Sequence, residues 1–157
     1  MSGRLAEMSR CATLAEMSWC ATLAEQAIPA LQGLEQAAWL ARLERQHDNP
    51  RAAPRWALDC GLSTLGPRLA GGLGKFWPRR GHQREGRRWL AAVLALPPDG
   101  DDAVTLTARA TALEEAAGLA EDAHDFTGAT VLFVQSESLR RTLRQDEHRA
   151  AGLISAW

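Results

Sequence analysis

A chain of 157 residues is long enough for one domain with a real hydrophobic core and too short for two of ordinary size. Hydrophobic residues at 46% and charged residues at 24% are those of a soluble globular protein rather than a disordered or membrane chain, and a formal net charge of −1 argues against wholesale electrostatic binding to nucleic acid. Three unpaired-looking cysteines, Cys11, Cys20 and Cys60, build no disulfide framework; with no apolar run near the roughly 20 residues a bilayer needs and no secretory signal, the expected location is the cytoplasm.

Two copies of a nine-residue unit open the chain, LAEMSRCAT from Leu5 and LAEMSWCAT from Leu14, and LAEQ from Leu23 starts a third. Leu, Ala, Glu and Met favour helix, but equivalent residues of a nine-residue period rotate around the axis, so no single apolar stripe persists. The duplication reads as a helical extension over residues 1–22. The next helix runs from about Leu34 to His47 with Trp39, Leu40 and Leu43 on one face. After the cap chemistry of Asp48, Asn49 and Pro50 a second helix passes through Trp56 and Leu58, with Pro54 delaying or kinking it. Residues 23–62 thus make a leading helical pair.

Two helices are expected from Pro67 to Trp77 and from Arg84 to Leu96, separated by Pro78 to Gln83. The second places Gly86, Trp89, Leu90, Val93 and Leu94 on one side, with Arg84, Arg87 and Arg88 on the flank and opposite side. PPDGDD from Pro97 is a loop. Final helices span about Ala103 to Ala123 and Thr127 to Leu143, the latter with Ala129, Leu132, Phe133, Ser136 and Leu143 on one face, and HRAAGLISAW begins another apolar stretch. Period-two alternation is absent, so the fold class expected is all-α.

Spacing separates an arbitrary bundle from a repeat array. Leu73-Gly74 is followed by Trp77, Gly86, Leu90 and Pro98, which matches the tetratricopeptide pattern of Leu-Gly, an aromatic, a small residue where paired helices cross, a large apolar residue and a helix-ending proline. Forty-three residues downstream it recurs as Ala116-Ala117, Ala120, Ala129 and Phe133, with HDF at 124–126 in the turn. Small residues let paired helices approach, and large ones fill the space between neighbouring pairs. Residues 63–157 are therefore expected to form tetratricopeptide-like antiparallel helix pairs, stacked as a short right-handed solenoid, the last repeat truncated. An uncovered apolar end around Leu153, Ile154 and Trp157 predicts self-association or a protein partner.

LAEQAIPALQGLEQAAWLARLERQHDNPRAAPRWAL, followed by RLAGGLGKFWPRRGHQREGRRWLAAVLALP, resembles the helical region after the nucleotide-binding and winged-helix parts of large bacterial STAND-type regulators, including LuxR-type and SARP-type transcriptional activators. The resemblance covers the chain from about Leu23 onward and differs from the family pattern at Pro50, Pro54 and Pro78. It implies a sensor and scaffold of stacked helix pairs whose ATPase and DNA-reading parts lie elsewhere. A G-x-x-x-x-G-K-[ST] phosphate loop is missing from this sequence.

Chemistry-bearing residues have structural readings. His47-Asp48 and His124-Asp125 fall at helix junctions, where Asp serves as a cap rather than a metal ligand. Glu114-Glu115 and Glu121-Asp122 read as a solvated helix face, and Trp39, Trp77 and Trp89 as core. No enzyme activity, metal or cofactor is expected. Trp77 to Leu90 carries Arg79, Arg80, Arg84, Arg87 and Arg88 against Glu85, whereas Asp99 to Asp125 carries eight acids against Arg109. These five arginines are the expected partner-binding residues, and nucleic acid is the alternative ligand for them.

Overall fold

The computed structural model describes residues 13–15, 18–19, 22, 25–26, 30, 34–45, 64–74, 76–79, 81–98 and 100–154. Within them the fold is all-helical: α1 (Gln36–Arg45), α2 (Leu65–Gly72), α3 (Phe76–Arg79), α4 (Gln83–Leu94), α5 (Ala103–Asp122) and α6 (Phe126–Ile154). The helical residues between 13 and 30 fall in the duplication and just after it, while the helix expected through Trp56 and the three cysteines lie outside the described residues.

α5 is the central element, packing against α2, α4 and α6. Its composition explains the position. Thr105, Ala108, Ala110, Ala112, Leu113, Ala117, Leu119 and Ala120 are buried on several sides of the helix, and small side chains let neighbours approach from each. A β-carbon on Gly71 would sit 3.2 Å from the Ala112 amide nitrogen, which measures how closely α2 approaches α5. The core cluster joins Ala70 and Leu73 of the α2 end, Phe76 and Trp77 of α3, Trp89, Leu90 and Val93 of α4, and Ala112 and Leu119 of α5. Trp39 of α1 packs against it half-buried, with Arg42 over its ring at 4.8 Å.

The single helix expected from Pro67 to Trp77 is two. Gly71, Gly72 and Gly74 lower helix propensity where α2 ends, and the chain re-enters a helical turn at Phe76. Pro78 belongs to α3 rather than to the following loop, because in a first turn its missing N–H has no intrahelical partner to lose.

The corners after α3 and α5 use the same hydrogen bonds. At the first, Gly81 has φ +70°, His82 N donates to Trp77 O at 2.9 Å and Gly81 N to Pro78 O at 3.4 Å. At the second, His124 has φ +63°, Asp125 N donates to Ala120 O at 2.9 Å and His124 N to Glu121 O at 2.8 Å. Both are Schellman caps with a left-handed residue just past the helix. Glycine holds that conformation without strain, whereas histidine does not. His124→Gly is expected to raise stability by roughly 0.5 kcal/mol, the left-handed strain relieved less the entropy glycine adds to the unfolded chain, measured by urea denaturation.

Asp102 caps α5, accepting from Val104 N at 3.0 Å and Thr105 N at 3.1 Å, and its second oxygen accepts from the Thr105 hydroxyl at 2.6 Å. Thr64 and buried Thr105 share a further 2.9 Å hydrogen bond, tying the start of α2 to the start of α5. The Thr105 hydroxyl, together with the Thr105 and Val104 amides, holds the Asp102 carboxyl below the usual carboxylate range. Its charge therefore supports the fold above the pKa of the unfolded chain, and that support is lost as pH falls through the lowered folded value. Asp102→Asn is expected to flatten this part of the acid limb in a scan of melting temperature against pH.

α6 is continuous to Ile154, so the apolar stretch that begins at His148 continues the helix expected from Thr127 to Leu143, past its expected end; no proline interrupts it. Its first half is fixed to α5 by polar bonds: the hydroxyl of buried Ser136 shares its one proton between Ala110 O at 3.0 Å and Glu114 at 3.2 Å, and Arg140 makes two 2.6 Å bonds to Glu114. The solvated-face reading of Glu114 is thereby corrected. Glu115 is half-buried as well, against Gly74.

Candidate functional site

The basic segment resolves into a corner and one face of α4. Arg84, Arg87 and Arg88 are exposed, as the helical spacing predicts, while Arg80 and the side chain of Arg79 lie outside the described residues. Trp77 is fully buried and Trp89 nearly so, and Arg88 lies 5.2 Å from the Trp89 ring centroid. The two tryptophans interleaved with the arginines therefore belong to the core and offer no open stacking surface.

The repeat positions sort by whether something follows them. Leu73, Gly74, Trp77, Gly86 and Leu90 are buried, as are Ala117, Ala120 and Ala129, and Pro98 is exposed in the loop after α4. Phe133 breaks the correspondence. Leu90 is 0% exposed, covered by α5, whereas Phe133, its counterpart forty-three residues on, is 40% exposed because none of the described helices lies over that face of α6. Phe126, Val131 and Val134 add exposed apolar surface on the same helix. The expected apolar end at Leu153, Ile154 and Trp157 cannot be joined to this surface, since those side chains lie outside the described residues.

Beside the arginine face of α4 runs a trough of about 590 Å³ walled by α4, α5 and α6. Arg87, Ala91 and Leu94 line it from α4, one helical turn apart, and Arg109, Leu113, Ala116 and Ala120 form a parallel stripe on α5. Leu132, Gln135 and Leu139 close the far side from α6. Across the mouth Arg87 faces Asp125 at 3.9 Å, too long for a hydrogen bond, and Asp125 uses its other oxygen to cap α6 through Gly128 N at 2.9 Å. Arg109 donates to Leu94 O at 2.8 Å and Leu96 O at 3.0 Å, ending α4 with a side-chain cap. Arg87 and Asp125 bring the basic and acidic stretches of the sequence together here.

The sequence shows Arg109 only as a charge and Ser136 only as a position on one helix face, and it does not single out Arg140, because the partners of all three depend on which helices face one another. Among the described residues no group of three or more His, Cys, Asp and Glu is placed to hold a metal ion, and no helix is long and apolar enough to cross a membrane.

No protein-family model and no solved structure matches the chain. Half of it is similar to proteins of Mycobacterium bovis and Mycobacterium tuberculosis named as HTH-type transcriptional regulators, at 38% identity over 80 residues. That alignment covers 51% of this chain and 9% of each relative, so the chain corresponds to a small part of those proteins.

Proposed function

We propose that this chain is a non-catalytic interaction and sensor scaffold, a short right-handed stack of tetratricopeptide-like helix pairs resembling the repeat arm of STAND-type transcriptional regulators. The observation that carries the reading is recurrence in space. Two corners forty-three residues apart close with the same left-handed residue and the same pair of backbone bonds, and each is followed by a buried small residue at the helix crossing, Gly86 and then Ala129. Repeats of this kind bury apolar surface against their neighbours and use the remaining faces for partners. The similarity to proteins named as regulators supports a place in transcriptional control, with the partner a protein or a second copy of the chain.

A second reading, nucleic-acid binding through Arg79, Arg80, Arg84, Arg87 and Arg88, draws on that same similarity. Burial of Trp77 and Trp89 weighs against it, since stacking surfaces supply much of single-strand affinity. The two separate in one set of measurements. Capture from a lysate, with proteins identified by mass spectrometry, is expected to retain a defined protein on the wild-type chain and lose it on an Arg84/Arg87/Arg88 triple-alanine variant of unchanged melting temperature. Binding to a single-stranded oligonucleotide whose affinity falls with salt at a slope near −0.7 per neutralised phosphate would reverse the order of the two readings.

A further inference from the structure

The chemistry of the partner follows from the trough, on the premise that the chain is the scaffold proposed above. We infer that the trough between α4, α5 and α6 receives an acidic amphipathic helix, with its apolar stripe on the floor and a carboxylate on Arg87.

Length and shape point to a helix. The α5 stripe from Arg109 to Ala120 runs about 16 Å, or three helical turns; apolar lining residues repeat at one-turn intervals on α4 (Ala91, Leu94) and α5 (Leu113, Ala116, Ala120), and two turns apart on α6 (Leu132, Leu139). A helix with apolar residues at i, i+3 or i+4, and i+7 presents matching intervals. Leu113 and Ala120 are buried while Leu94, Ala116, Leu132 and Leu139 keep part of their surface open, so the floor is apolar and still accessible.

Charge determines the sign of the occupant. Arg87 brings an exposed guanidinium into the lining, Arg84 and Arg88 add exposed positive charge on the same helix, and Arg109 at the floor bonds to neutral carbonyl oxygens. Among the described residues Asp125 is the one carboxylate of the lining; it stands 3.9 Å from Arg87 and is already engaged by the Gly128 amide. An incoming carboxylate can give Arg87 the short charge-assisted hydrogen bonds that Asp125 does not. On a second copy of this chain the exposed apolar residues of α6, Val131, Phe133 and Val134, stand beside Arg141 and beside Glu137, whose carboxylate is already paired with Arg144 at 2.6 Å, so that face brings Arg87 no free carboxylate beside its apolar residues. A nucleic-acid backbone would set phosphates over an apolar floor.

The test uses the whole chain and a fluorescein-labelled helical peptide of about twelve residues, with leucines at i, i+3 and i+7 and glutamates flanking them. A companion peptide replaces every glutamate by lysine. Fluorescence anisotropy is expected to show the glutamate peptide binding roughly tenfold more tightly than the lysine peptide, with Arg87→Glu inverting the preference. Arg141→Glu makes the same change of charge on α6 outside the trough and is expected to leave the preference in place. Equal binding of the two peptides, or an inversion by Arg141→Glu as large as by Arg87→Glu, would overturn the inference. So would displacement of the glutamate peptide by an oligothymidylate, or its competition with a dimer of the chain. Absence of peptide binding overturns the trough as the docking site; if lysate capture still depends on the arginines, the scaffold stands, and if capture fails too, both readings fall.

Discussion

Trp77→Ala is expected to lower the melting temperature by roughly 6–20 °C, following from a loss of about 3–5 kcal/mol in a domain of this size. Trp77 has no exposed surface, sits edge-on to Phe76 with ring centroids 5.9 Å apart, and lies in the cluster where α3, α4 and α5 meet. Its removal opens the centre of the core rather than a margin. Its indole nitrogen is buried with no hydrogen-bond partner among the described residues, so part of what tryptophan contributes is offset by an unpaired N–H. Trp77→Phe deletes that donor and keeps an aromatic ring, and is expected to cost less than about 1.5 kcal/mol. Thermal denaturation followed by circular dichroism measures both. A loss below about 1 kcal/mol for the alanine variant would show that this cluster is not the core.

Gly86→Leu is the second large effect. A β-carbon at position 86 would stand 2.6 Å from Trp77 Cδ1 and 2.9 Å from Trp77 Cβ, closer than real β-carbons approach. The obstacle is the base of a buried indole, which cannot swing aside, and leucine adds three further carbons beyond the β-carbon. Overpacking of this kind typically costs 1–3 kcal/mol, and this site belongs near the upper end even though leaving glycine improves helix propensity by up to about 1 kcal/mol. The cause can be isolated. In a Trp77→Ala background the Gly86→Leu penalty is expected to vanish or change sign, because the space the leucine needs has been vacated. Additive losses in that double-mutant cycle would place the strain somewhere other than the contact with Trp77.

Much of this architecture was legible in the residues. Gly86, Trp89, Leu90 and Val93 share one face of α4 at helical spacing, and all four are buried, while Arg84, Arg87 and Arg88 are exposed. His124-Asp125 read as a junction with a capping carboxylate, and Asp125 caps α6. What could not be read were properties decided by neighbours. Phe133 carries the pattern of a core residue and is open because burial depends on what lies across from it. Glu114 has the composition of a surface acid, yet Ser136 and Arg140 arrive from a helix more than twenty residues away and bond to it, leaving it half-buried. The trough is equally invisible in one dimension, since its stripes on α4, α5 and α6 are unremarkable until three helices are set side by side.

The connection between α4 and α5 is anchored at both ends by groups outside it. Arg109 reaches back to the carbonyls of Leu94 and Leu96, and Asp102 holds the first amides of α5 while its Thr105 neighbour bonds to Thr64. The intervening Pro97, Pro98 and Asp101 are exposed. The angle at which α5 leaves α4 is therefore set by side chains on the helices themselves, and loop closure entropy grows only slowly with added length. This makes the segment a place where foreign sequence can be spliced in, such as an epitope or a small fluorescent domain between Pro98 and Asp101, with the helices on either side keeping their mutual geometry. A reporter there would sit on a rigid mount, and distances measured from it would describe how the helices move when a partner docks rather than how the loop wanders.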